Sequence, residues 1–262
     1  MLPTNLPYTA DEPQRITLGP EAIPSLRIAP TQGDGPRPCL VMQHGYGADK
    51  YDLAPIAEVI AGLGFVVILP DAWGHGERFD PTGPNWSNAF AANYFIDVAR
   101  HVVDDLAQVV TALRRDPTLD PARIVLGGFS LGGITSVIAT ERDPAVAGLV
   151  AIAGGVAPAS LMGVLGMATV DEEHRAWAEA NDMGLAPNAA KLAPRPVLLM
   201  HGRRDDRLPV TGTERLFAAA QPAYAAQPEQ LQLRLYDATH EITMPMLAEA
   251  AGWLVEHFGD VA

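Results

Sequence analysis

One cysteine, Cys39, stands in 262 residues. This argues against a disulfide framework and against a cysteine-rich zinc site. Positive charge is scarce too: 18 Lys and Arg face 31 Asp and Glu, a net charge of −13. A nucleic-acid binder needs a basic face for phosphates, so the balance argues against that class. Strongly anionic substrates would not be drawn in from afar. The N-terminus, Met1-Leu2-Pro3-Thr4, lacks a basic region followed by an apolar run. No secretory signal is therefore read there, and a cytoplasmic protein is expected. Apolar content is high, 48% hydrophobic against 19% charged, which excludes disorder over most of the chain. The length suits one α/β domain with an insertion as well as it suits two small domains.

Charge is absent from Val146 to Val170, a stretch long enough to cross a bilayer. Gly148, Gly154, Gly155, Pro158, Gly163 and Gly166 break it. The expectation is a buried strand followed by an apolar insertion, not a membrane span.

Elsewhere apolar runs alternate with helical patterns. Gln14 to Leu18 and Leu26 to Ile28 alternate as antiparallel strands with one wet face do. Continuous apolar runs at Cys39–Met42, Phe65–Leu69, Ile124–Leu126, Leu149–Ile152 and Pro196–Met200 predict strands covered on both faces. Helical spacing predicts helices over 52–63, 93–115, from Leu131, 209–219 and 242–258. Leu231 to Tyr236 predicts one more strand. The segment 156–195 interrupts the alternation and holds one amphipathic helix at 171–181. The pattern implies a mainly parallel, doubly wound sheet in a single domain covering 1–262, with a small insertion at 156–195.

The strongest chemical signal is Gly128-Phe129-Ser130-Leu131-Gly132, where a buried strand meets a helix. A nucleophile elbow needs this context, with glycines two residues either side of a serine held in a sharp turn. The helix behind Ser130 points its first N–H groups at the site. His44-Gly45-Tyr46-Gly47 ends another strand, and a glycine-rich turn there can aim a backbone N–H at a reacting carbonyl oxygen. The two donors would be the N–H groups of Tyr46 and Leu131. After a third strand comes His201-Gly202-Arg203-Arg204-Asp205-Asp206, where a carboxylate could orient a histidine. Spacing does not choose between Asp205 and Asp206. The last signal is His240, in the loop after Tyr236. His257, near the end of the final helix, has no site role. Serine, acid and histidine thus come in order, each just after a predicted strand, where catalytic groups of open α/β sheets collect.

With these residues in place, the sequence resembles the α/β-hydrolase superfamily. Within it, the resemblance is to compact bacterial serine esterases related to dienelactone hydrolases and to the catalytic domains of prolyl-oligopeptidase-type enzymes. It runs from Gln14 to Phe258. It rests on the turn at His44, on Pro70-Asp71-Ala72-Trp73-Gly74-His75-Gly76-Glu77-Arg78-Phe79, on the Ser130 elbow, on His201-Gly202-Arg203-Arg204-Asp205 and on the His240 loop. The resemblance makes Asp205 the acid. A serine stands where dienelactone hydrolase has its cysteine nucleophile, which departs from that lactone chemistry.

The resemblance implies an α/β-hydrolase fold and a Ser130–His240–Asp205 triad cleaving carboxylic esters of small to medium acyl chain through an acyl-enzyme. It implies no cofactor. Asp71, His75 and Glu77 match no common zinc spacing, so no metal is expected. Trp73 and His75 are expected near substrate. Met162, Leu165 and Met167, in the apolar insertion, are expected to form a small lid over the acyl pocket. The expected partner is a small-molecule ester, and a homo-oligomer is compatible with the sequence. The rivals are a peptidase or an acyltransferase of the same fold and, from another class, a non-catalytic binding protein. Known peptidases of this type commonly carry a gating domain, for which about 260 residues leave no room. A binding protein commonly has a broken triad.

Overall fold

The computed structural model describes residues 7–32, 35–81, 91–155, 170–181 and 188–260, with 91 and 92 described through their backbone alone. Among these residues eight strands form one sheet. They are β1 (Gln14–Leu18), β2 (Ile23–Ile28), β3 (Arg37–Gln43), β4 (Val66–Pro70), β5 (Leu119–Phe129), β6 (Gly148–Ile152), β7 (Val197–Gly202) and β8 (Leu231–Tyr236). The order across the sheet is β1-β2-β4-β3-β5-β6-β7-β8. β1, β2 and β4 pair antiparallel, and the six strands from β4 to β8 run parallel.

Helices cover both faces, which is why the central strands are apolar through their middles. α1 (Ala54–Ala61) and α6 (Met244–Phe258) lie on one side, closing a core that includes Leu40, Val67, Val125, Leu198, Leu247 and Leu254. α2 (Ala91–Leu113) and α3 (Leu131–Arg142) lie on the other, over Val41, Ile68, Ile124 and Leu126. The α2 stripe of Val98, Val102, Leu106, Val109 and Leu113 is buried there. α4 (Glu172–Ala180) stands between β6 and β7, and Asp171 caps it by accepting the His174 N–H. α5 (Thr211–Ala220) follows β7 and packs Leu216 and Ala220 against a third apolar cluster.

Three helices start later than their apolar patterns predict, α5 at Thr211 instead of Pro209 among them. A short 3-10 turn, Lys50–Leu53, precedes α1, and α6 begins at Met244 instead of Ile242. In α1 and α6 a proline, Pro55 or Pro245, lies in the first turn. Proline has no N–H to give, so it sits where the helix needs none. β5 extends beyond the apolar core of its pattern in both directions and carries Pro121 within it. Of the uncharged stretch from Val146, the structure describes β6 and the turn to Gly155; 156–169 lie outside the described residues, and with them Met162, Leu165 and Met167. Among the described residues no helix is long and apolar enough to cross a membrane.

Because β3, β5, β7 and β8 are parallel and adjacent or nearly so, their C-terminal ends share one edge of the sheet. Gln43 is in register with Gly128, Phe129 with Ile152, and Gly202 with Tyr236. The loops after all four strands meet at that edge.

Candidate active site

Ser130 follows β5 directly and has φ +57°, the left-handed region that a non-glycine residue enters only when its surroundings demand it. The demand comes from packing. A Cβ on Gly128 would lie 2.5 Å from the Gly132 carbonyl carbon and 2.6 Å from the Gln43 carbonyl oxygen. The start of α3 therefore presses on the ends of β5 and β3, and the chain can pass only by a sharp turn. The Ser130 N–H donates to the Ile152 carbonyl (2.9 Å), which pins the turn to β6.

The loops after β7 and β8 bring the acid and the histidine to this serine. His240 Nε2 stands 3.0 Å from Ser130 Oγ, and His240 Nδ1 stands 2.7 Å from Asp205 Oδ2. An ionised carboxylate only accepts, so Nδ1 carries the proton and Nε2 is left to accept from the serine hydroxyl. The Phe129 ring lies against the imidazole, with centroids 4.8 Å apart.

Asp205, not its neighbour, is built into the fold. Its side chain is fully buried, whereas Asp206 is exposed. Oδ1 accepts the N–H groups of Arg207 (2.9 Å) and Leu208 (2.8 Å), and His201 Nε2 lies 3.2 Å from Oδ2. Burial alone would push this carboxyl up. The hydrogen bonds from His201, His240 and the Leu208 N–H outweigh it and hold Asp205 well below the usual carboxylate range. The group is thus a permanent anion at neutral pH.

The loop after β3 brings backbone against the serine. A Cβ on Gly45 would meet the Ser130 Cβ at 3.5 Å, so this glycine abuts the serine. The Gly45 carbonyl accepts from His44 Nδ1 (2.8 Å) and from the Ala48 N–H (3.2 Å). In a trans peptide the carbonyl and the following N–H point in opposite directions, so the Tyr46 N–H turns away from both. Leu131, first in α3, has an N–H with no acceptor inside its own helix.

Trp73 and His75 lie on the loop after β4. Trp73 is half-buried and stacks on His101, with centroids 4.2 Å apart. His75 is buried, and both its ring nitrogens bond to backbone: Nδ1 to the Trp73 carbonyl at 2.9 Å and Nε2 to the Gly47 N–H at 3.0 Å. Burial pushes the His44 and His75 imidazoles below the ordinary histidine range, which keeps both neutral.

Sequence reasoning misses what lies beneath this loop. Lys50 is 1% exposed. Its ammonium lies 2.5 Å from Asp71 Oδ2 and 2.7 Å from Glu77 Oε1, and Asp71 also accepts the backbone N–H groups of Lys50 and Glu77. Lys50 thus fills the space between the Asp71 and Glu77 carboxylates. No pattern in the sequence marks it as buried. The pairing depends on β3 and β4 lying side by side.

Sheet order, elbow and the Ser130–His240–Asp205 contact together define an α/β hydrolase. The chain belongs to the prolyl oligopeptidase family, whose profile matches residues 52–260. It is similar to the Escherichia coli (strain K12) esterase YjfP, 30% identical over 203 residues, covering 74% of this chain and 79% of that one. It is also similar to YitV of Bacillus subtilis (strain 168), provisionally named an esterase. There the identity is 27% over 239 residues, covering 82% of this chain and 88% of that one. Among solved structures, TT1662 from Thermus thermophilus superposes with a TM-score of 0.80 at 24% identity, covering 96% of this chain and 99% of that one. This last likeness speaks for the fold.

Proposed function

We propose that this chain is a single-domain serine hydrolase that cleaves small-molecule carboxylic esters, with Ser130 as nucleophile, His240 as base and Asp205 as its orienting acid. The observation that carries the reading is the unbroken line from Ser130 Oγ through His240 to Asp205, at 3.0 Å and 2.7 Å. A relative covering most of its own length and named an esterase supports the substrate class. A cytoplasmic location belongs to the same reading, supported by a single, buried cysteine.

The steps follow from the hydrogen bonds. Ser130 Oγ attacks the acyl carbonyl carbon while its proton passes to His240 Nε2. The carbonyl oxygen becomes an anion, facing the N–H groups of Tyr46 and Leu131. Asp205, already ionised, stabilises the imidazolium without taking its proton. His240 then gives that proton to the leaving alkoxide, which frees the alcohol. Water, deprotonated by His240, attacks the acyl-enzyme and releases the acid. Each oxyanion donor of this kind is typically worth about 3 kcal/mol.

Peptide cleavage and acyl transfer use the same first half, so the test must separate them. The wild-type chain and Ser130→Ala are each given p-nitrophenyl esters, aminoacyl p-nitroanilides and a fluorophosphonate label. The expected result is label on wild type only, turnover concentrated on esters, and less than about a hundredth of it left in Ser130→Ala. Labelling of Ser130→Ala overturns the nucleophile, and faster turnover of the anilides overturns the substrate class.

A further inference from the structure

Tyr46 sits between two peptide units, and a buried histidine bonds to each. The unit before it is held by His44, whose Nδ1 donates to the Gly45 carbonyl while its Nε2 accepts the Ala72 N–H (3.0 Å). The unit after it is held by His75, whose Nε2 accepts the Gly47 N–H (3.0 Å) while its Nδ1 donates to the Trp73 carbonyl (2.9 Å). The tautomer of His75 follows from its partners. A backbone N–H can only donate, so the nitrogen facing Gly47 has no proton, and the nitrogen facing the Trp73 carbonyl has one.

The loop that carries His75 is tied down beneath the ring by Asp71. Asp71 accepts the N–H groups of Lys50 and Glu77 and pairs with the Lys50 ammonium, which ties the loop after β3 to the loop after β4. The His75 ring also packs edge-on to the Tyr46 ring, with centroids 5.2 Å apart. Gly47 has φ +83°, so the peptide that His75 holds leads into a left-handed turn without a side chain to guide it.

We propose that His75 is a positioning residue for the oxyanion site: its Nε2 holds the Gly47 N–H and so fixes the direction in which the Tyr46 N–H points. The inference rests on the reading of Ser130 as nucleophile and the Tyr46 N–H as oxyanion donor. It takes His75 out of contact with substrate and makes it act through backbone. Preorganised donors contribute because they do not reorient as the oxyanion forms. A loop free to rotate loses that advantage in the transition state more than in the ground state, so the loss belongs in kcat and not in KM.

The test compares two amides of different reach. In His75→Gln the side-chain oxygen can occupy the place of Nε2 and accept the Gly47 N–H. In His75→Asn it reaches only as far as Nδ1. Both variants are polar and similar in size, and Tm measured on each keeps folding separate from function. Two quantities are read: kinetics on p-nitrophenyl acetate, and the Ki of an alkyl trifluoromethyl ketone. Ser130 Oγ adds to that ketone, its proton passes to His240, and the hemiketal oxygen becomes an oxyanion. His75→Asn is expected to lower kcat about 30- to 100-fold, to leave KM within about threefold, and to raise the ketone Ki by the same factor as kcat falls. His75→Gln is expected to lie within about fivefold of wild type on each measure. Equal kcat in the two variants, or a loss confined to KM with Ki unchanged, overturns the proposal. Wild type and Ser130→Ala run alongside: an inactive wild type or an active Ser130→Ala removes the hydrolase reading, and this proposal with it. Equal variants of a Ser130-dependent enzyme overturn the role of His75 alone.

Discussion

Gly132 rests directly on the carbonyl of Gln43: a Cβ added to the glycine would lie 2.0 Å from that oxygen. This contact joins the first turn of the helix that follows Ser130 to the strand that leads into the His44–Gly47 turn. Its other near neighbours are also backbone, the Gln43 carbonyl carbon at 2.5 Å and the His44 oxygen at 2.8 Å, so no side chain can swing aside to relieve it.

Gly132→Ala is therefore expected to destabilise the fold by about 3 kcal/mol, the upper part of the range for overpacking, and to lower ester turnover by displacing β3 from the elbow. Gly252 is the control. It lies exposed in α6, where an added Cβ meets nothing within 4 Å. Gly252→Ala should stabilise by about 0.5–1 kcal/mol through helix propensity. Urea unfolding of both variants checks the pair. A Gly132→Ala protein as stable as wild type would mean that α3 does not press on β3.

The two adjacent acids make a sharper test of the site. Asp205→Asn keeps the shape but puts an amide where a permanent anion orients His240, and kcat should fall roughly 10⁴-fold. Asp206, exposed one residue further on, should change kcat by less than about threefold as Asp206→Asn. Kinetics on one p-nitrophenyl ester suffice. A reversed order of effects would put the wrong carboxylate in the triad.

How much of this was legible without coordinates depends on what kind of contact is involved. The sheet was legible because β3, β4, β6 and β7 are buried on both faces and therefore apolar through their middles, with Arg37, Gln43 and His201 only at or near strand ends. The elbow was legible because close backbone approach removes side chains, and that leaves glycines at 128 and 132. Asp205 and Asp206 could not be told apart by spacing. What separates them is a turn in which Oδ1 of one caps two backbone N–H groups, a matter of three-dimensional geometry. Lys50, Asp71 and His75 were illegible for the same reason. A charged or aromatic loop residue looks alike in sequence whether it faces substrate, solvent or another loop. Only the placement of β4 beside β3 makes Lys50 the partner of Asp71 and turns His75 toward Gly47.

That buried pair carries its own prediction. Lys50→Met removes the cation and leaves the Asp71 carboxylate, itself fully buried, with only backbone N–H groups for partners. Breaking one side of a buried pair typically costs about 3–5 kcal/mol, and the retained N–H groups place this case near the lower end. Glu77 is half-exposed, and water can replace what it loses, so Glu77→Gln should cost far less. Denaturant titration of both variants checks the order. Equal costs would show that Asp71 and Glu77 share the lysine evenly.

The last prediction concerns α4 and α2. His174 Nδ1 lies 2.6 Å from Asp171 Oδ1, and its Nε2 lies 3.2 Å from Asp97 Oδ1, so the imidazole bridges a carboxylate at the start of α4 to one on α2. Arg100 also reaches this group, 3.8 Å from Asp97 and 3.2 Å from Glu173. Partial burial opposes the charge on His174, but the hydrogen bonds to Asp171 and Asp97 outweigh it and raise the imidazole above its ordinary value. Asp171 is held low, chiefly by the His174 backbone N–H and side chain, so it stays ionised through the range in which His174 titrates. A base whose folded pKa is raised binds its proton more tightly in the fold. Its contribution is complete below the unfolded value, about 6.5, and is lost as pH rises through the higher folded value. His174→Gln, which keeps a polar group but no charge, should therefore lower Tm by roughly 2–4 °C at pH 5.5 and by less at pH 9. Thermal unfolding of both proteins at the two pH values decides it. A difference that is constant with pH, or larger at pH 9, would mean that the bridge holds α4 to α2 without the charge.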